Sequence, residues 1–80
     1  MLESEQIKHW ISAEVPCSHL AVEGDGHHFS AVIVSEVFAG LGRVKRQQLI
    51  NGILKPHFDS GLLHALSMQT ITPEEWKING

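Results

Sequence analysis

Apolar residues recur every three or four positions near the start of the chain. In ESEQIKHWISAEV, residues Ile7, Trp10, Ile11 and Val15 share one side of a helical wheel, which predicts an amphipathic helix of about three turns. Proline lacks a backbone N–H, and its ring clashes with the preceding turn of a helix. We therefore expect this first helix to end at Pro16.

Alternating apolar and polar residues follow and predict a β-hairpin. HLAVEG (19–24) forms the first strand, and Asp25-Gly26 is a favoured turn because both positions tolerate positive φ. We expect the second strand to run over 28–38 as HFSAVIVSEVF, with one face made of Phe29, Ala31, Ile33 and Val37 and the other of His28, Ser30, Val32, Val34 and Glu36.

Two glycines in AGLGRVKRQ (39–47) interrupt the alternation and lead into a second helix. Pro56 lies near the C-terminal end of this helix, where we expect a kink or a stop. The apolar positions of the helix predict a broad stripe that consists of Val44, Leu49, Ile50, Ile53, Leu54 and Phe58.

The last 20 residues predict a third strand and a third helix. LLHALSMQTI (62–71) alternates with a period of two, which places His64 on the same face as Leu66 and Met68. In TPEEW, Thr72 is a natural N-cap and Glu75 completes a capping box, so a helix begins here.

The element order is therefore αββαβα. A hairpin joins strands 1 and 2, whereas a helix connects strands 2 and 3, which permits parallel pairing by a right-handed crossover. Helices packed on one face of this three-stranded mixed sheet give a two-layer α+β domain that resembles the class II KH-like arrangement, αββαβ(α).

Composition limits what such a chain can do. Eighty residues with 42% hydrophobic and 19% charged positions predict one domain over 1–80. A domain of this size buries only roughly 60% of its unfolded surface, so shallow surface chemistry is expected rather than an enclosed active site. The lack of a long apolar run and the acidic N-terminus predict a cytoplasmic protein without a membrane span.

Two segments carry the motif of a known family. VFAGLGRVKRQQLINGIL resembles the central signature F-x-G-x-x-R-V-x-R of the BolA-like family, and LLHALSMQTITPEEW resembles its closing segment. Together with GDGHHF, the likeness covers nearly the whole chain and is greatest to the short bacterial, IbaG-like branch. The resemblance implies an adaptor that partners a monothiol glutaredoxin and shares a bridging [2Fe-2S] cluster with glutaredoxin and glutathione in iron–sulfur trafficking.

The resemblance also implies the metal ligands. In the family, one histidine near the start of the last strand and one residue of the loop between the first two strands bind the cluster. His64 matches the first position, and either His28 or His27 matches the second, with His28 favoured. The single Cys17 lies outside these motifs, so the remaining thiolates must come from a partner, and no cofactor is expected in the isolated monomer or weak homodimer.

A basic segment supports a different hypothesis. Members of the family have been described as transcriptional regulators, and Arg43, Lys45 and Arg46 could contact DNA phosphates. The net charge of −3 makes a strong phosphate-driven affinity unexpected, and GLGR is not the GXXG loop of a KH domain. Otherwise, Arg43 and Arg46 form a solvated face or contact an acidic partner. No catalytic motif is present in the sequence, and we expect no enzymatic activity.

Overall fold

The helices and strands follow one another in the predicted order in a computed structural model that describes residues 1–79. A short 3-10 turn at Glu36–Phe38 interrupts the connection between the second strand and the second helix. The elements are α1 (Ser4–Glu14), β1 (His19–Gly24), β2 (His28–Val34), α2 (Arg43–Asp59), β3 (Ala65–Ile71) and α3 (Pro73–Asn79).

The three strands form one mixed sheet in the order β1-β2-β3. β1 and β2 are antiparallel, with Leu20 opposite Ile33, whereas β2 and β3 are parallel, with His28 opposite Ala65. The predicted α+β fold with a three-stranded mixed sheet is confirmed, and α2 provides the crossover that the parallel pair requires.

The core lies between one face of the sheet and the helices α1 and α2. Alternate residues of β2 point into it, and Ile7, Ile11, Ile33, Ile50 and Leu54 are each fully buried. Helix α3 contacts the sheet through Trp76, whose ring stacks on the His19 ring of β1 with ring centroids 4.9 Å apart. Among residues 1–79, no helix combines the length and the hydrophobicity that crossing a membrane requires.

The second strand is shorter than predicted. It ends at Val34, because the buried Ser35 hydroxyl donates to Pro16 O at 2.7 Å and accepts from the Val37 N–H at 3.2 Å, which begins the 3-10 turn. The alternation therefore stops at this point. Val34, the last residue of β2, is buried on the face opposite Ile33, as predicted. Val37 lies in the 3-10 turn and is 37% exposed, so the face predicted for Val37 was wrong.

The predictions for α2 and β3 also need correction. Val44 and Leu49 are exposed, so the buried stripe of α2 is narrower than predicted. Pro56 does not stop the helix, which continues to Asp59. β3 begins at Ala65 rather than at position 62, because the Leu63 N–H bonds to the His57 carbonyl at the end of α2.

Candidate metal centre

The loop between β1 and β2 is organised by one carboxylate. Asp25 Oδ1 accepts hydrogen bonds from the backbone N–H groups of His27 and His28, each at 2.9 Å. These bonds, the one from His28 first, hold the pKa of the Asp25 carboxyl below its usual range. Gly26, between Asp25 and His27, has a φ of 101°, a backbone conformation that residues with a side chain rarely adopt. The loop therefore presents both histidines from a defined turn.

The register of the parallel pair decides which histidine meets His64. His28 is opposite Ala65, so His27 and His64 each precede the paired residues by one position. Their ring centroids are 6.1 Å apart, and the rings are tilted by 36°. Because side chains alternate between the two faces of a strand, His28 points to the face opposite the buried Phe29, whereas His27 lies in the loop before β2.

His27 and His64 line a shallow cavity of about 290 Å³ at the end of the sheet. Both residues are exposed to solvent. Met1, Leu2 and Leu62 provide apolar walls. The structure thus unites two of the three predicted metal ligands, and it supports His27 rather than the favoured His28 as the neighbour of His64.

The donor set is suited to a metal but is incomplete. Imidazole nitrogen is a good ligand for iron, and two histidines bind one iron in Rieske-type clusters. Within residues 1–79 there is no group of three or more His, Cys, Asp and Glu side chains that could hold a metal ion. These residues therefore fit an iron–sulfur group only as one part of a site that a second molecule completes.

Cys17 does not contribute to this pair. It lies just before β1, at the end of that strand opposite the histidine loop. Its Sγ–H donates to Val15 O at 3.3 Å, and burial raises the pKa of the thiol. The protonated thiol is a poor metal ligand, because metals bind the thiolate.

Arg46 has a structural role that the sequence pattern does not reveal. Its guanidinium donates to Leu41 O at 2.8 Å, to Thr70 O at 2.9 Å and to both carboxylate oxygens of Glu75, and its side chain is 13% exposed. The interpretation of Arg46 as part of a solvated face was wrong. Arg43 and Lys45 do lie exposed in the first turn of α2.

Two further histidines have aromatic partners. The His57 ring stacks on Trp10 with centroids 3.5 Å apart and planes within 8°, and the His19 ring stacks on Trp76. The spacing along the chain gives no signal for either contact, because each pairs residues from distant elements.

Comparison with known proteins gives the family. A family model described as BolA-like protein matches residues 3–75. The chain belongs to the BolA-like family. It is 35% identical to the acid stress protein IbaG of Escherichia coli K12 over an alignment that covers 99% of both chains, which confirms the expected resemblance to the short bacterial branch.

Solved structures of other BolA-like proteins share the fold. A BolA homologue from Coxiella burnetii is 38% identical, with a TM-score of 0.85 and 96% and 99% of the two chains covered. The BolA domain of SufE1 from Arabidopsis thaliana is 34% identical, with a TM-score of 0.82 and coverage of 90% and 93%. This BolA-like chain therefore has the architecture of its family over nearly its full length.

Proposed function

We propose that this BolA-like protein is a non-catalytic cytoplasmic adaptor that docks on a monothiol glutaredoxin and co-ligates a [2Fe-2S] cluster through His64 and His27. The observation that carries the proposal is the His27–His64 pair, with ring centroids 6.1 Å apart at a solvent-exposed cavity. His28 is the alternative loop ligand, because it follows His27 and is also exposed.

The chain's own residues would hold and orient two imidazoles. Asp25 fixes the backbone of the histidine loop, and the parallel register fixes His64 beside it. A [2Fe-2S] cluster would supply one-electron chemistry at a potential that histidine ligation raises. The glutaredoxin and glutathione would provide the thiolates that the described part of this chain does not place near the pair.

The names of similar proteins are compatible with the proposed adaptor role. SufE1 of Arabidopsis thaliana has a BolA domain, and the similar protein IbaG of Escherichia coli is named an acid stress protein. The proposal includes participation in a stress response through iron–sulfur trafficking. Delivery, storage and sensing of the cluster are all compatible with the same two ligands.

The test is an anaerobic titration of the protein into a monothiol glutaredoxin loaded with its cluster, followed by visible circular dichroism. His27→Ala, His28→Ala and His64→Ala are compared with His9→Ala, an exposed histidine of α1. We expect a new heterocomplex spectrum that is lost in the His64 and His27 variants and retained in the other two.

The outcomes separate the assignments. If the heterocomplex spectrum is lost in His28→Ala and retained in His27→Ala, the loop ligand is His28 instead of His27. An unchanged spectrum in all variants would reject ligation by these histidines. Failure of the wild-type protein to alter the glutaredoxin spectrum would reject the partnership itself.

DNA binding is the second candidate, and the exposure of Arg43 and Lys45 in the first turn of α2 favours it. Two phosphate contacts predict a slope of log K against log salt concentration of about −1.8, since each contributes roughly −0.9. Fluorescence anisotropy with a labelled duplex at several salt concentrations measures this slope. Arg43→Ala should reduce its magnitude by about 0.9, and His64→Ala should leave it unchanged.

A further inference from the structure

Strand β3 is an edge of the sheet with unusual composition. Its seven residues, Ala65–Ile71, include no charged residue, proline or glycine. β3 has a neighbour on one side, β2, in the three-stranded sheet. Proteins normally protect such edges with charges, prolines or bulges, because unpaired backbone groups recruit other strands. The uncharged edge of β3 is therefore suited to pairing with a strand from another molecule.

The register shows which backbone groups face outward. Ser35 N–H donates to Ile71 O at 2.9 Å, so the peptide groups of Ile71 face β2. Because successive residues of a strand direct their N–H and C=O groups to opposite sides, those of Thr70, Met68 and Leu66 face away from β2. Arg46 Nη1 reaches Thr70 O from outside, which agrees with this assignment.

The outward groups are free over the middle of the strand. Across residues 1–79, the Arg46 bond to Thr70 O is the one hydrogen bond to this outer side of β3, and the N–H and C=O groups of Leu66 and Met68 have no protein partner. Arg46 therefore closes the edge at Thr70 and leaves it open toward Ala65. The open part has room for four or five residues of an added strand, or about 16 Å.

The groove beside this edge is positively charged. A cavity of about 370 Å³ separates the first turns of α2 from β3, and Arg43 is the charged residue that lines it, together with the polar residues Gln47 and Gln69. The other lining residues are Met68, Thr70 and Ile71, so no acidic residue lines this cavity. Glu75 lines the adjoining cavity, where the guanidinium of Arg46 binds its carboxylate. The chain as a whole has a net charge of −3, so this cationic groove differs from the average surface.

We propose that the edge of β3 binds an extended acidic segment of a partner protein by strand addition. The backbone of the segment would pair with Leu66 and Met68, and every second side chain would point toward α2. A carboxylate at that position would bind Arg43. A second copy of this chain is less suitable, because its own β3 carries no carboxylate for Arg43. The proposal is independent of cluster ligation by His27 and His64.

The test uses nuclear magnetic resonance of the isotope-labelled protein. The probes are a capped six-residue peptide of alternating valine and glutamate and a matched peptide of alternating valine and lysine. We expect the acidic peptide to shift the amide resonances of Leu66 and Met68 and to slow their hydrogen exchange at least threefold. The lysine peptide should leave both unchanged.

Two variants isolate the contributions of charge and backbone. Arg43→Glu should reverse the preference to the lysine peptide, whereas Lys77→Glu, the same charge change on exposed α3, should not. A glutamate at 43 is also compatible with the first turn of α2, because helix N-termini favour negative charge. Met68→Pro removes an outward N–H without touching the β2 ladder, so it should abolish binding in a protein whose other resonances are retained.

Three results would overturn the proposal. The first is an absence of shifts at Leu66 and Met68 with either peptide at millimolar concentration. The second is equal binding of the two peptides, which would remove the role of Arg43. The third is protection of the two amides that increases with protein concentration and needs no peptide, because a second copy would then occupy the edge.

Discussion

Arg46 and Glu75 are 29 residues apart in the chain and meet in a two-bond ion pair, with Nη1–Oε1 at 2.8 Å and Nη2–Oε2 at 3.2 Å. The same guanidinium bonds to Leu41 O before α2 and to Thr70 O in β3. Glu75 in turn accepts from the Thr72 N–H in a capping box. One arginine therefore ties α2, β3 and α3 together.

Replacing Arg46 with lysine should destabilise the protein. Lysine keeps the charge but has no planar fork, so it cannot serve two backbone carbonyls and a carboxylate at once. We expect the free energy of unfolding in urea to fall by about 1–3 kcal/mol from the loss of the donors to Leu41 O and Thr70 O. Arg43→Lys, at an exposed position, should change it by less than about 0.5 kcal/mol. Equal effects would contradict the structural role of Arg46.

The Glu75 carboxylate should make stability sensitive to acid. The hydrogen bonds from Arg46, together with the Thr72 N–H, lower the pKa of Glu75 from 4.5 to about 2. The ionised form is thus favoured in the folded state, and its contribution is complete above pH 4.5 and is lost as the pH falls toward 2. Thermal unfolding across this range should show a decline that Glu75→Gln reduces. Parallel curves for the two proteins would refute this contribution.

Two leucines of α2 should differ sharply in their importance. Leu54 is fully buried in the core, whereas Leu49 is 38% exposed. Truncation of Leu54 leaves a cavity, so Leu54→Ala should lower the free energy of unfolding by about 2–5 kcal/mol. Leu49→Ala should cost less than about 1 kcal/mol. Urea titrations of both variants measure the difference, and similar losses would place the core boundary elsewhere.

Gly24 should be intolerant of a side chain. A Cβ at this position would overlap His28 O and the Phe29 ring, so the start of β2 would have to shift. We expect Gly24→Ala to cost about 1–3 kcal/mol, as overpacking does. Gly52→Ala is the matched control: the added Cβ has open space in α2, and alanine should stabilise the helix by about 0.5–1 kcal/mol. Thermal denaturation measures the change in melting temperature of each variant. Changes of the same sign in both variants would contradict the steric explanation for Gly24.

The sequence by itself determined the order of the elements, the hairpin, the capping box at Thr72 and the family motifs. These features depend on local properties, since side-chain periodicity, proline, glycine and capping residues act within a few positions. The resemblance of these contiguous segments to the BolA-like family implied His64 and the loop histidines as candidate ligands.

Only the tertiary structure decided which of these candidates meet. The parallel register of β2 and β3 brings His27 to His64, and that register depends on the burial of one face of the whole sheet rather than on any local signal. The tertiary structure also decided the role of Arg46, which binds partners inside the fold rather than lying on the surface. The sequence pattern could not show this, because those partners lie 5, 24 and 29 positions away. Pairings between distant segments are set by packing, and periodicity along the chain does not encode them.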